Sequence, residues 1–192
     1  MTVKIPARID TPKDSLHYPR SLFEHLPTEN DDCHWHVLYT KSRQEKVVAE
    51  RLLKRCVSFY LPLFEKTTYY RRCKKTIRAP LFSGYLFLYG NEEDRLESLR
   101  TNQICTTFHA PDEEVFVADL NRIHLMLCSG MPVTPEARAE KGRRVRIRSG
   151  PMAGLEGTII KRKKRIRIVV RVDFLQQGAS IEVEDFMLDT ID

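Results

Sequence analysis

The stretch Val145-Arg146-Ile147-Arg148-Ser149-Gly150-Pro151-Met152-Ala153-Gly154-Leu155-Glu156-Gly157-Thr158-Ile159 decides the reading of this chain. Val145 and Ile147 alternate with Arg146 and Arg148, the period of a strand with one face buried and the other in water. Gly150 and Pro151 then turn the chain, because glycine reaches positive φ without a Cβ clash and proline arrives with φ already set. Gly154 and Gly157 allow the return at close approach, and Thr158, Ile159 and Ile160 continue as a β-branched strand. Further on, Ile166, Ile168, Val170, Val172 and Phe174 share one face against Arg165, Arg167, Arg171 and Asp173. Ile181 and Val183 alternate with Glu182 and Glu184. Residues 142–192 therefore read as short strands that close a small all-β barrel.

Upstream, residues 129–141 hold Gly130, Pro132 and Pro135 without strand alternation and read as a linker. Residues 33–128 read differently. Trp35 to Thr40 is a strand, and Val48, Ala49, Leu52, Leu53 and Cys56 repeat with helical period against a charged face. Strands follow at Ser58 to Phe64, Ile77 to Ala79, Leu81 to Tyr89 and Cys105 to His109. Asn91 caps a helix from Glu92 to Arg100, with acidic residues in its first turn, and Val117, Leu120, Ile123, His124 and Leu127 mark a third helix. The order predicts an α/β sandwich, one antiparallel sheet with helices on one face, so the fold class is α+β. Residues 1–32, rich in acidic residues and prolines, read as a flexible extension, with Leu22, Phe23 and Leu26 able to form a short docking turn.

With 192 residues and a net charge of +6, the chain is long enough for two small cores and favours an anionic partner. No apolar run approaches the roughly eighteen residues of a membrane span. The N-terminus lacks the apolar block of a secretory signal. Five cysteines without repeated spacing read as reduced thiols in a cytoplasm.

The Gly-Pro turn with its spaced glycines resembles the KOW motif, carried here by Gly150, Pro151, Gly154 and Gly157. The first domain resembles the NGN domain of the NusG family of transcription elongation factors. Trp35-His36-Val37-Leu38 matches the opening strand, Leu61-Pro62 the second, and Leu81-Phe82-Ser83-Gly84-Tyr85-Leu86-Phe87 the family's Phe-Phe-Pro-Gly-Tyr-Val strand. Ser83 departs from the family proline, which loosens φ and restores a backbone donor. The resemblance implies an NGN sandwich followed by an SH3-like KOW barrel. It implies docking on RNA polymerase through Phe82 and Tyr85 as exposed aromatics. It also implies a monomeric cytoplasmic factor that alters pausing, termination or antitermination. Its KOW domain would recruit Rho or a small-subunit ribosomal protein through Phe174 or Leu175. Strand alternation puts Phe174 inward and favours Leu175, and the sequence leaves the choice between the two open. The N-terminal extension and Ser83 point to a specialised, RfaH-like paralogue. The reading from another class is a KOW-containing structural protein that binds ribosomal RNA.

Two basic clusters bear on nucleic acid. Arg71, Arg72, Lys74 and Lys75 follow Tyr69 and Tyr70, combining phosphate-binding charge with rings that stack on bases of non-template DNA or nascent RNA. Lys161 to Arg167 places six basic residues in seven, either a solvated hairpin tip or a second phosphate patch. Cys33, His34 and His36 lack a second pair of ligands at metal spacing. No phosphate-binding glycine loop or nucleophile elbow occurs, so neither catalysis nor a cofactor is expected.

Overall fold

The computed structural model describes residues 15–23, 32–70, 73–110, 112–137, 142–162, 165–184 and 187–191. The first sheet runs in the order β1-β3-β5-β2-β6, with β1 Ser15–Tyr18, β2 His34–Thr40, β3 Ser58–Tyr70, β5 Tyr85–Gly90 and β6 Ile104–His109. β4, Cys73–Pro80, pairs with β3 off that path. Every pairing is antiparallel. β3 and β4 form a hairpin whose length the sequence hides, since Glu65 to Tyr70 has no apolar face.

Alternation along β2, β3 and β5 loads both faces of this sheet. Leu38, Phe59, Leu61, Leu86 and Leu88 point to one side and bury Val48, Ala49 and Leu52 of α1, Glu45–Lys54. Trp35, Val37, Tyr60 and Phe87 point to the other and bury Phe116, Leu120, Ile123 and Leu127 of α3, Glu113–Cys128. The expected single helical layer is therefore replaced by helices on both faces, because the central strands are apolar on both sides. α2, Glu92–Leu99, packs beside β5. The expected Asn91 cap is present and extends to a capping box: the Asn91 side chain accepts from the Asp94 N–H at 3.0 Å, and Asp94 accepts from the Asn91 N–H at 3.3 Å.

The second sheet, a small β domain, has the order β12-β8-β9-β10-β11-β7. Its strands are β7 Thr134–Glu136, β8 Arg144–Ile147, β9 Glu156–Arg162, β10 Arg165–Val172, β11 Gln177–Val183 and β12 Leu188–Thr190. Val145, Ile147, Ile168, Val170, Val172, Ala179 and Ile181 fill it, as the alternation predicts. The turn closes through Gly154 N–H to Ile147 O at 2.7 Å, with Gly150 and Gly154 at φ +92 and +90. At Gly157 a Cβ would stand 2.5 Å from the Val169 carbonyl, so only glycine fits between β8 and β10.

Two expectations are corrected. The stretch 129–141 is not all linker: β7 pairs with β11, and Pro135 is tolerated there because an edge strand needs no N–H on its outer side. The stretch 1–32 is not all flexible: β1 pairs with β3, and Leu22 is buried. Among the described residues no helix is long and apolar enough to cross a membrane.

Candidate functional site

The 81–84 turn before β5 is held from three sides. Glu45, buried at the start of α1, accepts the Gly84 N–H at 2.7 Å. Gly84 O accepts the Thr40 N–H at 2.7 Å. Gly84 has φ +84, and a Cβ there would stand 2.9 Å from the Tyr39 ring. Glycine thus lets Tyr39 lie directly on the turn, and Tyr39 meets Tyr85 at 5.2 Å between ring centroids. Tyr39 is 41% exposed and Tyr85 half-buried, so the pair forms an aromatic surface at the free end of the sheet face.

Phe82 departs from expectation. It is 1% exposed and meets Phe87 edge-on at 5.9 Å, so it fills the core. The Leu81–Phe82 pair enters the interior just before the chain reverses, while Ser83 at the tip is exposed. Tyr39 was missed from sequence, although the alternation Trp35, Val37, Tyr39 places it on the Tyr85 side.

Among the nucleic-acid candidates, Tyr69 is 75% exposed and faces Lys74 in register, with Lys75 opposite Thr68. Lys74 and Lys75 are exposed. Arg71 and Arg72, and the side chain of Tyr70, lie outside the described residues. In the 161–167 run, Arg167 is internal: its guanidinium donates to Ser180 Oγ at 3.0 Å and Thr134 Oγ1 at 2.7 Å, tying β10 to β11 and β7. The side chains of 161–165 are outside the described residues.

Strand alternation puts Phe174 inward, but the structure exposes it, and of the two open candidates Leu175 is the one packed on the core. β10 ends at Val172, and a 3-10 turn at Asp173–Leu175 breaks the alternation. Phe174 reaches across to Phe108 and Phe116 at 6.1 and 6.4 Å, while Leu175 packs on the core. Beside it, buried Asp119 of α3 accepts the Asp173 N–H at 3.0 Å and pairs with Arg122 at 2.7 Å. Burial pushes the Asp119 carboxyl up, against the opposing pull of the Asp173 N–H and Arg122.

Of the metal candidates, His34 pairs with Glu113 at 2.8 Å, and His36 is buried against Gly90 O and the His109 ring. Among the described residues no three His, Cys, Asp or Glu side chains form a metal-holding group.

Residues 33–120 match the family described as "Transcription termination factor nusG". Among solved structures, the chain is similar to "Domain interaction in Thermotoga maritima NusG" at 19% identity, covering 83% of this chain and 98% of that one, with a TM-score of 0.47. It is also similar to a chain of the "MjSpt4:Spt5 complex" in conformation A, at 16% identity over 82% of this chain and 98% of that one, with a TM-score of 0.27. Conformation B of that complex gives 16% identity, 82% and 97% coverage, and a TM-score of 0.28. No curated protein sequence matches the chain. The segment matched to the family holds β2, α1, the β3–β4 hairpin and the Tyr39–Tyr85 surface, so over residues 33–120 the chain carries a domain of the NusG family, a family of transcription factors rather than enzymes.

Proposed function

We propose that this chain is a transcription elongation factor that docks on RNA polymerase through Tyr39 and Tyr85 and modulates pausing, termination or antitermination. In this reading residues 33–128 are an NGN domain and residues 142–192 a KOW domain, with β7 marking where the connection joins the second sheet. The observation that carries the reading is the Tyr39–Tyr85 pair, with Tyr39 exposed and Tyr85 half-buried, held in place by Glu45 and Gly84. Rigid exposed aromatics lose little freedom on binding, so they concentrate affinity in a few positions. Phe82 supports this surface from the core rather than touching the partner.

The β3–β4 hairpin is the nucleic-acid arm: Tyr69 offers a stacking face, and Lys74 and Lys75, together with Arg71 and Arg72, meet phosphates of non-template DNA or nascent RNA. The KOW domain recruits a further component, Rho or a small-subunit ribosomal protein, through the Phe174–Leu175 turn. The factor works as a cytoplasmic monomer.

The test is binding to core RNA polymerase. Replacing Tyr39 and Tyr85 together with alanine is expected to cost about 2–4 kcal/mol of affinity while the fold survives. Unchanged affinity in a folded double variant refutes the docking surface. For the hairpin, single-stranded DNA binding is expected to fall with salt at a log–log slope of about −3 when four phosphates are contacted. Neutralising Arg71, Arg72, Lys74 and Lys75 flattens that slope, whereas neutralising Lys161 to Lys164 leaves it; the opposite result moves the nucleic-acid surface to the second sheet.

A further inference from the structure

The N-terminal segment 15–23 is built onto the first sheet in an unusual way. β1 is the terminal strand and, among the described residues, pairs only with Phe59–Pro62 of β3. Past it, Leu22 N–H closes a turn on Pro19 O at 3.1 Å and its side chain is buried. Phe23 then enters a slot between β3 and the C-terminal half of α3. It meets Tyr60 edge-on at 4.9 Å, stacks on His124 at 4.9 Å and lies nearly parallel to Trp35 at 6.3 Å. His17, buried from the strand itself, meets His124 edge-on at 5.2 Å and Tyr60 at 6.2 Å. Tyr18 points the other way and bonds the Cys56 side chain.

This attachment is separable from the rest of the sheet. β3 is already paired along its other side by β4 and β5, so removing β1 breaks no hydrogen bond between other strands. What holds the segment is one short ladder and a few aromatic contacts centred on two imidazoles. Charging either imidazole places a cation in an apolar slot, and charging both sets like charges side by side.

We propose that residues 15–23 are a detachable strap over the outer edge of β3, latched where His17 meets His124, which leaves and re-enters its slot while the sandwich beneath stays folded. Docked, the strap caps the backbone edge at Phe59–Pro62. Released, it uncovers that edge, an antiparallel template for which the chain's own segment is the resident occupant.

The described titratable and charged groups facing the latch are Arg20 in the turn, Tyr60 on β3 and Cys128 on α3, whose sulfur stands 3.6 Å from His124 Nε2. Burial lowers both histidines, His124 to about 4 with the charge of His17 adding to it. Released, they return toward about 6.5. Docking is thus full above that value and weakens as pH falls toward the docked one, by up to about tenfold per unit for His124 alone.

Trp35 is the sole tryptophan and lies against Phe23, so its fluorescence reports the strap. The full chain is titrated from about pH 7.5 to about pH 4.5, with tryptophan emission and far-UV circular dichroism read together. The expected result is a red shift of emission in that window with the β-sheet signal retained. Phe23→Ala is expected to show the shifted emission already at neutral pH, and His124→Phe to lose the acid transition. Should His124→Phe not fold, His17→Gln serves in its place. Emission that stays constant, or that changes only together with the circular dichroism, overturns the proposal. An unaltered midpoint in a folded latch variant overturns it as well.

Discussion

The sheet face crossed by α3 is closed at one end and bare at the other, although both ends are aromatic. At the closed end Trp35, Phe87 and Phe116 pack together, and Phe174 from the second sheet reaches Phe116. At the bare end Tyr39 is exposed and Tyr85, half-buried, rests against the edge of the core. The difference comes from the path of α3. Its first turn is fixed near the start of β2 by the His34–Glu113 pair, and its last turns lie over Tyr60 and His17. It therefore passes over the end of β2 that carries Trp35 and leaves the end that carries Tyr39. Aromatic residues in a strand do not by themselves mark a docking surface; the helix that covers or misses them does.

The largest effect that tests this contrast is on stability. Phe82→Ala empties a fully enclosed position against Phe87 and is expected to cost about 3–5 kcal/mol in urea unfolding. Replacing Tyr39 and Tyr85 by alanine removes rings already in contact with water and is expected to cost no more than about 1.5 kcal/mol. If Phe82→Ala costs less than the tyrosine pair, the division into closed and bare ends is wrong.

A middling effect is expected where the second sheet meets the closed end. Asp119→Ala leaves the Asp173 N–H without its acceptor beside the helix, a loss of about 1–3 kcal/mol. Asp119→Asn keeps an acceptor oxygen and removes a charge that burial disfavours, so it is expected to fall near zero at neutral pH. Because the carboxyl is raised in the folded chain, its contribution is full below the ordinary value of about 3.8 and falls as pH rises through the folded value. The Asn variant is accordingly expected to lose this component of the pH dependence. Equal losses in Ala and Asn would mean that the hydrogen bond to Asp173 carries no weight.

Much of this was legible in the sequence where local chemistry alone decides structure. The Gly150–Gly157 turn, the Asn91 cap and the alternation through Ile168 and Val170 needed no tertiary information. Misreadings arose where a distant partner decides. Pro135 looks like linker until β11 is there to accept it as an edge strand. Phe174 looks inward until a 3-10 turn rotates it toward Phe108. Leu22 and Phe23 read as a docking turn, but the strand before them looks flexible because the slot they enter is assembled from residues on β2, β3 and α3. Phe82 and Tyr85 sit three residues apart in one motif, yet only the position of the turn sends one inward and the other out. In the same way Tyr39 alternates correctly with Trp35 and Val37, but nothing local says that α3 stops short of it.

The smallest effect concerns what holds the bare end in place. Glu45 is buried beneath the turn, and its carboxylate accepts the Gly84 N–H at 2.7 Å. A charged acceptor strengthens such a bond by roughly a factor of two over a neutral one. Glu45→Gln retains the oxygen and loses the charge, so the expected cost in urea unfolding is about 0.5–1 kcal/mol, with polymerase affinity unchanged because Tyr39 still rests on Gly84. Glu45→Ala removes the acceptor outright, frees the turn, and is expected to weaken polymerase binding along with stability. The two variants separate charge from geometry: if Gln weakens binding as much as Ala does, the carboxylate charge sustains the surface rather than the position it gives to Gly84.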